Sequence, residues 1–148
     1  MTAHVDSVAK YIAEKSGWSI SNLKLQKMMY IAQVIHMGRY DGAALFDAEF
    51  QAWDYGPVIP SLYHRLKSFG SRPIADVLSH AKKFRTDDPR KKVMDDVCRR
   101  FLKYSAGDLV EITHSDKGAW ADVYIPGARN VPIPNEAILD EYLRRNAA

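Results

Sequence analysis

The stretch "SNLKLQKMMYIAQVI", Ser21 to Ile35, decides the fold. Leu25, Met28, Met29, Ala32 and Ile35 recur at helical spacing, while Leu23, Tyr30, Ile31 and Val34 make the remaining surface unusually apolar. Ser21 supplies a capping oxygen at the start. A helix that is apolar on so much of its surface has to be packed on most sides, so this one is expected to be central.

Working outward, Val5, Val8, Ala9 and Ile12 predict a short opening helix, with Gly17 where a helix C-terminus favours positive φ. Downstream the period changes. Phe46, Ala48, Phe50 and Ala52 alternate with Asp47, Glu49, Gln51 and Trp53, as in a strand with one packed face. Gly56-Pro57 is expected to end that strand, and Pro60 to open a helix carrying Ile59, Leu62, Tyr63, Leu66 and Phe69 until Gly70. Residues 71–89 read as a loop with a short strand near Ile74 and a mobile tip at Thr86 to Pro89. A helix with Val93, Val97, Phe101 and Tyr104 on one side follows. Ser105-Ala106-Gly107-Asp108 then has capping-box spacing for a brief helix through Leu109, Val110 and Ile112. "THSDKGAWADVY" joins it to a segment carrying Trp120, and Pro132 and Pro134 precede a last helix with Ile138, Leu139, Tyr142 and Leu143 inward. The expected fold class is mainly α: a compact single-domain bundle, residues 1–148, of about six helices with one short β element near residues 46–53.

A chain of 148 residues that is 47% hydrophobic and 26% charged suits one globular domain. No apolar run approaches the roughly 18 residues of a membrane span, and "MTAHVDSVAKYIAEK" lacks the apolar core of a signal peptide, so no membrane partner and a cytoplasmic location are expected. The one cysteine, Cys98, has no disulfide partner and is expected to pack as a small hydrophobe. Net charge is +3, unevenly placed: between Lys82 and Lys103 nine Lys/Arg face four Asp, a local +5 that leaves −2 elsewhere. Such a stripe suits nucleic acid or an acidic partner, and a solvated helix face is the plainer account.

Catalytic machinery is not assembled. His114, Ser115 and Asp116 have the residue types of a hydrolase triad, but consecutive residues do not align as nucleophile, base and orienter; a local hydrogen-bonded turn accounts for them better. The histidines (4, 36, 64, 80, 114) show no metal-ligand spacing, and no phosphate-cradling glycine loop occurs, so neither cofactor nor metal is expected. What stands out is aromatic and acidic density around Trp53, Asp54 and Tyr55 and around His114, Asp116 and Trp120. The plainer account makes the tryptophans core anchors and the acids caps or turn residues.

"LKLQKMMYIAQ" (Leu23 to Gln33), "AWDYGPVIPSLY" (Ala52 to Tyr63) and "THSDKGAW" (Thr113 to Trp120), in this order and at these separations, resemble the SocA-like or Panacea antitoxin domain, also found in phage-associated GepA-type proteins. The resemblance spans nearly the whole chain. Ala119 stands before Trp120 where many relatives carry proline, a departure that bears on the local turn. The family implies a mainly helical fold with a little β structure, no enzymatic activity, and binding to a cognate protein toxin encoded nearby; its domains pair with many unrelated toxins. The SocA branch further implies an adaptor that delivers the toxin to the ClpXP protease; the closing "RRNAA" resembles tails that ClpX engages, and an ordinary frayed end is the plainer account of it. Residues expected at the toxin surface are Asp54, Tyr55, Ser61, His64, His114, Asp116 and Trp120, with Trp53, Gly56, Pro57 and Pro60 shaping the corner. The alternative is a DNA-binding regulator using the 82–103 stripe, and it lacks a convincing recognition helix.

Overall fold

The computed structural model describes residues 2–147. In chain order these form α1 (Val5–Lys15), α2 (Asn22–Arg39), β1 (Phe50–Trp53), β2 (Gly56–Val58), α3 (Pro60–Leu66), a 3-10 turn (Lys67–Phe69), α4 (Arg90–Phe101), α5 (Ala106–Thr113), α6 (Ala119–Val123), β3 (Pro132–Ile133) and α7 (Asn135–Arg145). The fold is mainly α. Ser21 accepts a hydrogen bond from the Lys24 amide at 3.2 Å and starts α2. That helix packs against α1, α3, α4, α5, α7 and β2, and Leu25, Met28, Met29, Tyr30 and Ala32 are fully buried within it. Its partner α7 comes unusually close: a Cβ on Gly38 would lie only 2.1 Å from Cγ of Tyr142, so the missing side chain lets the Tyr142 ring rest on the α2 backbone. Helices α1 and α5 are also capped by side chains, the His4 ring accepting from the Asp6 amide and Ser105 and Asp108 completing a reciprocal capping box.

The strands form one antiparallel sheet in the order β2-β1-β3. Trp53 pairs with Gly56, leaving Asp54 and Tyr55 as a two-residue turn. Helix α2 completes the outer edge of β2 with side chains: Lys27 Nζ donates to the Pro57 carbonyl at 3.0 Å, and the Ile59 amide donates to Gln26 Oε1 at 2.8 Å. At the opposite edge, Pro132 has no N–H to offer.

Helix α1 is fixed to the rest by a buried carboxylate. Asp6, 2% exposed, accepts from Arg65 of α3, with Nη1 at 2.7 Å and Nη2 closer, and from His80 Nε2 at 2.8 Å. The Arg65 hydrogen bonds, opposed by burial and aided by His80, lower its pKa to about 2. Because the folded pKa lies below the unfolded one, this contribution is present above about pH 4 and is lost as pH falls through 2. Asp6→Asn is therefore expected to cost about 2 kcal/mol at pH 7, and urea titrations should find the difference from the parent vanishing near pH 2.

Several expectations need correction. Strand β1 begins at Phe50 rather than Phe46, which instead makes an isolated parallel bridge to Ala3. Gly56-Pro57 does not end the β structure but forms the return strand, since Pro57 is paired with Ala52 and its missing N–H falls on the outer edge. Among the described residues there are thus three strands, and α6 raises the helices to seven. Near Ile74 only an isolated Ser21 to Pro73 bridge forms, joined by an Ile74 amide to Ile20 carbonyl hydrogen bond of 2.9 Å. Leu143 is 56% exposed rather than inward. Cys98 is buried, and burial pushes its thiol pKa up to about 12, so it packs as an inert hydrophobe. No helix among the described residues is long and apolar enough to cross a membrane.

Candidate functional site: an aromatic corner

The β1–β2 turn organises the site. Gly56 has φ +108°, and a Cβ there would lie 3.1 Å from both Lys27 Nζ and Thr113 Oγ1, so conformation and space both require glycine. Trp53 is buried just before the turn, its Nε1 donating to the Arg129 carbonyl at 2.8 Å and to Gln51 Oε1 at 3.1 Å. The Arg129 guanidinium sits 4.7 Å from the Trp53 ring, and Tyr63 meets that ring edge-on at 5.0 Å with His64 at 6.0 Å.

The third motif locks onto the second. Trp120 Nε1 donates to the Trp53 carbonyl at 2.7 Å, and the Trp120 ring stacks with both His114, at 3.8 Å and 5°, and Tyr124, at 4.3 Å and 20°. Tyr124 in turn donates to Asp54 Oδ1 at 2.6 Å, as does the Gly127 amide at 3.1 Å. These hydrogen bonds hold the Asp54 carboxyl below its ordinary pKa. Asp54 is a clamp on the 124–127 segment. Tyr55, 69% exposed, is left projecting at the tip beside a cavity of about 320 Å³ lined by Trp53, Tyr63, Lys67 and Arg129.

Two buried charged groups support the corner from within. Glu141, 2% exposed, accepts from Tyr30 Oη at 2.5 Å, the Ala119 amide at 2.9 Å and Arg145 Nε at 2.8 Å. Arg145 also donates to the Ile112 carbonyl at 2.7 Å, so a single carboxylate ties α2, α5, α6 and α7 together. Lys27 is fully buried, with the Pro57 carbonyl accepting its hydrogen bond and no carboxylate of the described residues within ion-pair distance; burial lowers its pKa to about 7. Burial, and then the nearby Lys27 charge, also lower the pKa of His114, whose Nε2 is buried without a hydrogen-bond partner among the described residues.

Of the residues expected at a partner surface, the structure brings Asp54, Tyr55, His64, His114 and Trp120 to one corner with Trp53. Ser61 is exposed on α3 and Asp116 is exposed in the 115–118 turn; neither joins the ring cluster. That turn is held locally, by Lys117 N to Ser115 Oγ at 3.2 Å and Gly118 N to Ser115 O at 2.9 Å. Among the described residues no group of three or more His, Cys, Asp or Glu is arranged to hold a metal. The sequence had not singled out Lys27, Tyr124, Arg129 or Glu141 for this corner. Only Tyr124 carried a local signal, its i, i+4 spacing from Trp120.

Fold and site together give a mainly helical chain with an aromatic corner built from two of its motifs. Residues 25–121 match the family described as antitoxin SocA-like, Panacea domain. Over 114 residues the chain is 32% identical to antitoxin SocA of Caulobacter vibrioides (strain NA1000 / CB15N), covering 68% of this chain and 58% of that protein. The chain belongs to the SocA-like antitoxin family. It spans less than two thirds of the length of that relative. No solved structure matches it.

Proposed function

We propose that this chain is a non-enzymatic antitoxin that binds and neutralises a cognate protein toxin through the corner around Tyr55. The observation that carries this reading is the Trp120 to Trp53 hydrogen bond, which joins two separate motifs into one preorganised surface and leaves a tyrosine exposed at its tip. Interfaces draw most of their energy from Trp, Tyr and Arg in such settings. The test is co-expression with the adjacent gene product, which should be toxic alone and harmless together with this chain. Tyr55→Ala is expected to weaken the complex about 30-fold, as read by calorimetry, with the thermal transition unchanged. A folded Tyr55→Ala, His64→Ala variant that binds and rescues normally would remove this surface from consideration.

Delivery to ClpXP is the finer form of the proposal. Purified toxin should then be degraded faster when this chain is added, and equal rates would leave sequestration alone. Of the tail invoked for ClpX, Ala148 lies outside the described residues. DNA binding ranks second, since within the stripe Arg90 turns to Asp88 at 2.6 Å and Arg99 and Arg100 turn to Asp96. Retardation of promoter DNA at low salt, weakening steeply as salt rises, would favour it instead.

A further inference from the structure

A second surface, sharing no lining residue with the cavity beside Tyr55, lies where α2, α4, α5 and α7 meet. It encloses a groove of about 430 Å³. Its floor is formed by Ile31, Val34 and Ile35, on one face of α2 at i, i+3, i+4 spacing, each 6–8% exposed while Met28, Met29 and Ala32 of the same helix are sealed at 0%. β-Branched side chains in a helix are held close to one rotamer, so this floor is stiff, and an apolar group entering it would displace water without ordering the wall. The rim is cationic: Arg39, Arg100 and Arg145 line it.

The charge beside the groove is not balanced. Arg39, at 2.5 Å, Arg99, closer still, and Arg100, at 3.6 Å, converge on the single carboxylate of Asp96, and Arg145 is paired with Glu141. Four guanidinium groups thus share two carboxylates, a local surplus of two positive charges. The acids also preorient the arginines, and a guanidinium that makes one hydrogen bond keeps other N–H donors for a second acceptor. We infer that this groove docks an acidic amphipathic segment of a partner protein, its apolar side chain seated on Ile31, Val34 and Ile35 and its carboxylates on Arg39 and Arg100. A protein segment fits better than nucleic acid because the surplus is concentrated beside the apolar floor of Ile31, Val34 and Ile35 instead of spread along a phosphate track. This inference is independent of the toxin surface around Tyr55.

The experiment is an amide-resolved NMR titration of the full chain with a short synthetic helix carrying leucines at i, i+4 flanked by glutamates, against the same helix with lysine replacing glutamate. The glutamate helix is expected to shift the amides of Ile31, Val34, Ile35 and Ile112, to bind more weakly as salt rises, and to lose about tenfold or more in affinity to the Arg39→Glu, Arg100→Glu variant. The lysine helix should leave these amides unmoved. If that double variant is not folded, Arg100→Gln replaces it and is expected to lose affinity in the same direction. Equal shifts with both helices, shifts outside the groove, or a single-stranded oligonucleotide that occupies it in preference to the glutamate helix would overturn the assignment.

Discussion

Replacing Glu141 with alanine is expected to lower folding stability by about 4 kcal/mol, a large part of what a domain of this size possesses. The residue is 2% exposed, and its loss leaves Tyr30 Oη, the Ala119 amide and Arg145 Nε without their acceptor. Removing one partner from a buried hydrogen-bonded charge costs more than the group contributes on its own, because the remaining groups stay desolvated. Glu141→Gln should fall between the two, since its carbonyl oxygen still serves Tyr30 and Ala119 while its amide nitrogen meets the Arg145 donor. Urea unfolding provides the check, with an unchanged slope establishing that the denatured state is the same. Loss of less than about 1 kcal/mol in Glu141→Ala would show that the contact is solvated.

Lys27→Met is expected to remove a pH dependence. The native lysine releases its proton near pH 7, whereas the unfolded chain holds it to about 10.5. Between these values the unfolded state binds more protons, so the parent grows more stable as pH rises from about 7 toward 10.5, by about 5 kcal/mol at most. Below pH 7 the cost of the buried ammonium is fully present. Methionine matches the aliphatic stem and carries no charge, so the variant should be flat across this window apart from other groups. It leaves the Pro57 carbonyl without its donor, a penalty of about 1–3 kcal/mol that is independent of pH and therefore does not affect the slope. Parallel unfolding titrations of parent and variant with the same slope would place the ammonium in contact with water.

The helices were legible in the sequence because their signals are local: Ser21 as a cap, Gly17 after α1, and Ser105 with Asp108. The sheet was not. Asp54-Tyr55 lacks the glycine or asparagine of a common two-residue hairpin turn, Pro57 looks like a terminator until its N–H position is known to face outward, and a two-residue strand such as β3 has no period to detect. The same division runs through the site. Trp53, Asp54, Tyr55, His114 and Trp120 were visible as motif residues, but the groups that join and support them act over long separations, with Tyr30 and Glu141 111 residues apart and Trp53 and Arg129 76 apart. No pattern in one chain reports such contacts.

The side-chain closure of β2 reaches beyond the hairpin itself. An uncovered strand edge is a template on which unfolded or misfolded chains can add. Here the outward-facing Pro57 carbonyl and Ile59 amide are already taken by Lys27 and Gln26, and the far-edge strand begins with a proline. At the β2 edge an incoming chain therefore meets side chains in place of the Pro57 carbonyl and the Ile59 amide, so adhesion there depends on residue identity.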